Sequence, residues 1–246
     1  MQQKIFFQES DVVTIKQEPF LRAPRSVVVF ASLLLVVHII RNLVSVETDE
    51  MLLINFAFIP AFFSSTTAGD FYPLQWFVSP FSYALMHAGW SHLLMNVLWL
   101  LAFGSPVAKR FGTLRFILFC LLAAPAGALA HFLSYGNSGL PMIGASAIIS
   151  ALTAAAVRFA FEPDGPLMNR ANDRAVFNPA PSLIDNMRNR QALIFVVLWF
   201  ALNFVFGAGA TLVGPGMQIA WQAHIGGFIA GIILFALFDP VKKSLS

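Results

Sequence analysis

The chain of 246 residues is 58% hydrophobic and only 11% charged, with a mean hydropathy of +0.74. That composition lies outside the range of soluble domains and makes this a polytopic membrane protein. The formal net charge of +3 reflects where bases sit between apolar runs rather than a nucleic-acid partner, and the single cysteine, Cys120, excludes an intrachain disulfide.

Residues 1–25 mix Lys4, Lys16, Arg22 and Arg25 with Glu9, Asp11 and Glu18. This suits neither a transit peptide nor a signal-peptide n-region, so a cytoplasmic N-terminal tail is expected, followed by an uncleaved first span. Crossing ~30 Å of hydrocarbon takes about 20 helical residues. Six runs are long enough: 26–46, 82–104, 114–134, 142–161, 191–210 and 219–238. They are too long and too continuously apolar for barrel strands, and lipid leaves backbone groups no partners outside the segment, so all six read as helices. The expected fold is all-α, with residues 26–240 as one six-helix membrane domain and 241–246 as a cytoplasmic C-terminal tail.

Between the first two spans, residues 47–80 are rich in Phe, Pro and Trp and carry Glu47, Asp49, Glu50 and Asp70. They read as a folded outer loop lying partly in the interface. Residues 162–190, with Pro163, Pro166, Pro179, Pro181 and scattered charges, read as a flexible cytoplasmic linker. The outer connections 135–141 and 207–218 are uncharged and glycine-rich, and the second is expected to lift as a lid.

Threaded alternately with the N-terminus inside, the spans leave all but one of the fifteen Lys and Arg on the cytoplasmic side. The exception is Arg41, near the outer end of the first span, whose stem is expected to carry its charge to the headgroups. In this topology His87, His92, Asn96, Ser146 and His224 all fall in the outer half of the membrane, where polar side chains are costly and point to function. His92 and Asn96 are one turn apart, about 40° around a helix, and can reach one point. His87 lies about 140° from His92 in a straight helix and reads as a loop-anchoring donor.

Small residues supply a way for two of these groups to meet. Ala147, Ala151 and Ala155 form a stripe on the fourth span, and Ala223, Gly227 and Gly231 form one on the sixth. Such stripes let helix backbones approach closely in lipid, which would bring Ser146 beside His224. No Asp or Glu lies between Asp70 and Glu162, or between Asp185 and Asp239. A Ser-His-Asp triad, a two-aspartate protease, an H-E-x-x-H zinc protease and a carboxylate proton relay are all excluded from the second to sixth spans. A Ser-His dyad remains, in which the imidazole takes the serine proton and returns it to the leaving amine. His92, Asn96 and the free N–H groups of a helix starting at Ser146 are candidate oxyanion donors, with Gly144 permitting close backbone approach. The five histidines include no H-x-x-H or i, i+4 pair and have no carboxylate or thiolate partners, so neither metal nor cofactor is expected.

The runs His87-Ala-Gly-Trp-Ser-His92-Leu-Leu-Met-Asn96, Gly144-Ala-Ser146 and Ala223-His224-Ile-Gly-Gly227-Phe-Ile-Ala-Gly231 resemble the motifs of the rhomboid intramembrane serine proteases, in order and on the corresponding spans. Phe103, Gly104, Val107, Arg110 and Gly112 fit the family's turn after the second span. The resemblance implies a rhomboid-like bundle, with Ser146 as nucleophile, His224 as base, and His92 and Asn96 as oxyanion donors. Gly227 and Gly231 would then pack the sixth helix on the fourth. It also implies a substrate that is itself a transmembrane segment of a protein in the bilayer, admitted near the fifth helix. Independently of the resemblance, the Lys and Arg distribution is expected to put the site on the outer side with both termini cytoplasmic, and a short tail without transit-peptide character points to a bacterial inner membrane. Three positions depart from the family pattern: Ala147 where Gly is common, Ala108 where an acid often sits, and Ser150 where an aromatic commonly lies under the histidine. A catalytically weak or inactive rhomboid-like protein that binds membrane clients is the alternative reading.

Overall fold

The computed structural model describes residues 23–64, 73–168, 172, 174–208 and 220–241. Most of the expected N-terminal tail, residues 65–72 of the outer loop, the 207–218 connection beyond residue 208, and residues 242–246 lie outside the described residues.

Among the described residues the chain is helical, with one isolated antiparallel bridge between Phe58 and Met142. Helix α1 (Arg25–Leu43) ends at extended Val44. Ser45 then caps α2 (Val46–Phe56), its hydroxyl accepting the Thr48 N–H, and Glu47 and Asp49 occupy the positive first turn. The fold-back of α2 corrects the expectation for Arg41. Its Nε and Nη2 donate to Asp49 at 2.7 and 2.9 Å, and its Nη1 donates to the His87 carbonyl at 2.9 Å. The guanidinium is therefore a tie between α1, the outer loop and the approach to the second span, and it does not reach out to the headgroups.

The outer loop is folded, continuing through a 3₁₀ turn (Pro60–Phe63) and α3 (Pro73–Ser82). The second span starts later than the sequence pattern suggests. A 3₁₀ turn (Tyr83–Leu85) and extended Gly89 (φ −174°) separate α3 from α4 (Trp90–Trp99). From α4 the chain passes through a π turn (Leu100–Gly104) into α5 (Ser105–Phe111), and Gly112 at φ 76° ends the run. Helix α6 (Thr113–Tyr135) follows. The remaining elements are α7 (Ser146–Ala160), the short α8 (Leu183–Arg188), α9 (Arg190–Ala208) and α10 (Trp221–Phe238).

Among the described residues, four of the six expected spans are helices long and apolar enough to cross a membrane: Arg25–Leu43, Trp90–Phe111, Thr113–Tyr135 and Trp221–Phe238. Of the other two, α7 (Ser146–Ala160) is a shorter apolar helix, and in α9 the apolar stretch counted among the described residues is Arg190–Val205. Helix α7 is short for a physical reason. Its residues from Ala147 to Val157 are all buried, so it meets protein rather than lipid on every side, and its 15 residues span only about 22 Å. It is the central post, packed by α10, α6, α5 and the π turn.

The stripes of small residues meet along this post. A Cβ at Gly227 would collide with the Ala147 carbonyl oxygen, and one at Gly231 with the Ala151 carbonyl oxygen. The two backbones are therefore in direct contact at successive turns. On the far side of α10, a Cβ at Gly226 would meet the Ala130 methyl and, at 2.8 Å, the Ala126 carbonyl of α6. Ala147 itself fits because Gly127 of α6 leaves room for its methyl: a Cβ at Gly127 would collide with it.

The opposite end of the bundle is tied by a buried arginine as well. Arg110, its side chain fully buried, donates Nε and Nη2 to Asp239 at 2.8 Å each, and Nη1 to the carbonyls of Val176 and Asn178. Its guanidinium also lies 4.6 Å over the Phe159 ring. With Ala108 two residues earlier, the carboxylate for this arginine comes from the end of α10 instead. The connection 162–190, expected to be flexible, is docked on the bundle in its described part: Ala175 and Val176 are buried, Asn186 donates to the Val157 carbonyl, and Arg158 to that of Pro181.

Candidate active site

Ser146 is the first residue of α7, and the backbone before it is held from two sides. Phe58 and Met142 exchange backbone hydrogen bonds at 3.1 and 2.9 Å, and the Gly144 N–H donates to the Tyr83 carbonyl at 3.0 Å. Gly144 sits at φ 126°, a region that disfavours any side chain. With no capping side chain at Ala145, the first N–H groups of α7 point out of the helix with its positive end.

From α10, His224 Nε2 lies 2.7 Å from Ser146 Oγ. The distance follows from the backbone contact, because His224 is one turn before Gly227 and Ser146 is next to Ala147. Both side chains are half-buried.

His92 faces the same point from α4. A Cβ at Gly144 would lie 2.8 Å from His92 Nε2 and 3.7 Å from Ser146 Oγ, so both atoms border the space that the glycine leaves open. The other ring nitrogen of His92 receives the Ala88 N–H at 3.4 Å. A backbone N–H only donates, so Nδ1 is bare and the ring proton is on Nε2, the side facing Ser146. Asn96 is buried one turn further along α4 and donates Nδ2 to the His92 carbonyl at 2.8 Å. No hydrogen bond joins it to Ser146 or His224 among the described residues.

His87 differs from the expectation, because residues 83–89 do not continue α4. The turn at Gly89 swings its buried ring edge-on to His92, with centroids 5.0 Å apart. The anchoring group is its carbonyl, held by Arg41, rather than a ring donor. Of the remaining histidines, His38 is buried edge-on to Trp90, close to His87, and His131 lies beside Tyr135.

A family model for the rhomboid domain matches residues 75–240. The chain belongs to the rhomboid family. It is also 28% identical over 165 residues to the rhomboid protease GlpG of Pectobacterium atrosepticum, a match covering 67% of this chain and 49% of that protein. The chain thus spans about half the length of the relative it matches. As a rhomboid-family chain with apolar membrane-length helices, it is an integral membrane protein.

One residue of this rhomboid site was not singled out by the sequence. Asn203, on α9, places its Oδ1 2.5 Å from His224 Nδ1. The available signal was its chemistry: it is the one amide side chain between Gln191 and Ala208, in an otherwise apolar run. Ser150 does not reach the imidazole, because its hydroxyl donates back to the Ser146 carbonyl at 2.7 Å.

Proposed function

We propose that this chain is an intramembrane serine endopeptidase that cleaves peptide bonds in or near transmembrane segments of other membrane proteins, using Ser146 as nucleophile and His224 as general base. The observation that carries the proposal is the 2.7 Å hydrogen bond between Ser146 Oγ and His224 Nε2, at the outward end of a buried helix and with no carboxylate nearby in sequence.

In the proposed reaction His224 Nε2 removes the hydroxyl proton as Ser146 Oγ attacks the scissile carbonyl. The developing oxyanion is received by the His92 Nε2–H and the backbone N–H groups at the start of α7. Asn96 adds a donor when its second amide proton turns into the site. Collapse of the tetrahedral intermediate breaks the C–N bond, and the proton on His224 passes to the leaving amine. Water then repeats the sequence on the acyl-serine, with His224 again as base, and frees the enzyme.

The fifth helix supports entry of a membrane-spanning substrate from the side. Among the described residues of α9 only Ala192 and Trp199 are buried hydrophobics, so this helix is held by little besides α10 and α8. The distribution of Lys and Arg supports a site facing outward from a bacterial inner membrane, with both termini cytoplasmic.

The test is labelling of the purified chain in liposomes with a fluorophosphonate, alongside cleavage of a transmembrane substrate. The parent should be labelled and should cut; Ser146→Ala should do neither, and His224→Ala should lose both while keeping the helical circular dichroism of the parent. Cleavage undiminished in both variants would refute the proposal. A parent that binds transmembrane segments without labelling or cutting would mark a client-binding protein instead.

A further inference from the structure

We infer that Asn203 is a positioning residue that fixes His224 in the one tautomer able to act as base, making the site a Ser146–His224–Asn203 relay whose third member comes from α9. The inference rests on the proposed protease reading and deepens it.

The orientation of the amide decides the matter. Asn203 Nδ2 is 2.7 Å from the Trp199 carbonyl oxygen, one turn back on its own helix. A carbonyl only accepts, so the NH2 group must face it, which turns Oδ1 toward His224. An amide oxygen likewise only accepts. The proton shared across the 2.5 Å contact therefore belongs to His224 Nδ1. A neutral imidazole with its proton on Nδ1 has a lone pair on Nε2, the nitrogen facing Ser146 Oγ at 2.7 Å. The polarity thus runs in one direction, from the Ser146 hydroxyl to Nε2 and from Nδ1–H through the amide to a backbone carbonyl. When Nε2 takes the serine proton, the Nδ1–H remains bonded to Oδ1, and the positive ring is stabilised by a dipole already in place.

Nothing else described around the ring does this work. No aromatic ring stacks on His224 among the described residues, and Ser150 is engaged with its own helix. Holding Asn203 in place requires α9 to stay against α10, which it does through Trp199, stacked on Phe228 at 4.7 Å.

The experiment compares the parent with Asn203→Leu and Asn203→Asp, each the full chain in liposomes. It reads kcat and KM for a transmembrane substrate and the ring-nitrogen resonances of ¹⁵N-labelled histidine, with His224 assigned by its loss in His224→Ala. In the parent His224 should show a protonated Nδ1 and a bare Nε2. Asn203→Leu should lower kcat by about 10- to 100-fold with KM little changed, and should show a mixture of tautomers. Asn203→Asp keeps an acceptor at the same place and should restore most of kcat. Parent His224 protonated on Nε2 would overturn the inference, as would Asn203→Leu with the kcat and spectrum of the parent. If Asn203→Leu fails to fold, the parent spectrum and the Asp variant still decide. A parent with the Nδ1–H tautomer and no cleavage would refute the protease reading while leaving the hydrogen-bond polarity standing, so the two failures are distinct.

Discussion

Gly227→Ala adds one methyl group at the tightest contact between α10 and α7. The new Cβ would fall within the van der Waals envelope of the Ala147 carbonyl oxygen, 2.8 Å from its carbon and 3.0 Å from its Cα, whereas ordinary contact begins near 3.4 Å. These are backbone atoms of a helix buried on all sides, so no rotamer change relieves the overlap. Helix α10 must instead move away by roughly 1 Å. His224 is one turn from the added methyl, so its 2.7 Å hydrogen bond to Ser146 opens by a similar amount. Misplacement of reacting groups by ~1 Å costs on the order of 10²-fold, or about 2.7 kcal/mol of barrier. The expected result is a kcat about 10²-fold below the parent with fluorophosphonate labelling slowed in parallel, measured in liposomes after circular dichroism has established helix content.

A second substitution separates this account from a general packing defect. The obstructing atoms belong to the Ala147 backbone, so Ala147→Gly should not rescue Gly227→Ala. Gly127→Ala is the contrasting case, because its Cβ would strike the Ala147 methyl, and there Ala147→Gly should recover part of the loss. The Tyr83 hydroxyl at 2.9 Å limits that recovery. Parent-like rates in Gly227→Ala, or full rescue by Ala147→Gly, would refute the claim that backbone contact sets the distance between Ser146 and His224.

The other expectations concern separate parts of the molecule. Asn96→Ala removes one proposed oxyanion donor and should reduce kcat by up to ~10²-fold with KM little altered; an unchanged kcat would remove Asn96 from the reaction. Asp239→Asn leaves the buried Arg110 without its charge partner and should destabilise the domain by about 3–5 kcal/mol, read as a lower melting temperature in detergent. The double variant Arg110→Met with Asp239→Leu should melt above Asp239→Asn, because no buried charge is left unpaired. Arg41→Ala should loosen the turn that carries His87, visible as faster hydrogen exchange at residues 86–89, and unchanged exchange there would show that the turn holds itself.

The helical character of the apolar runs and the meeting of Ser146 with His224 were legible because lipid imposes strict rules: long apolar runs must be helices, and a serine and a histidine within them need a reason. The small-residue stripes were readable as well, since a step of four marks one helix face. What escaped were relations that depend on rotation or fold-back. Helix α9 is apolar all round, so no periodicity indicated which side Asn203 would turn inward. Arg41 finds Asp49 only because Val44 and Ser45 reverse the chain within two residues. His87 lies off the straight helix that the apolar run 82–104 suggests, because extended Gly89 breaks it. Docking of the 162–190 connection depends on backbone carbonyls at 176 and 178, which carry no side-chain signature.

Helix α10 carries His224 in its first turn and is followed at its other end by Asp239, the partner of Arg110. Ser146 and Arg110 both precede that helix in the chain, so one lacks its base and the other its counter-ion until α10 is in place. Docking of one helix completes both ends of the domain. Under the proposed chemistry, a chain in which α10 has not docked carries a serine that lacks the base to activate it, so activity and the neutralisation of the buried arginine depend on the same helix.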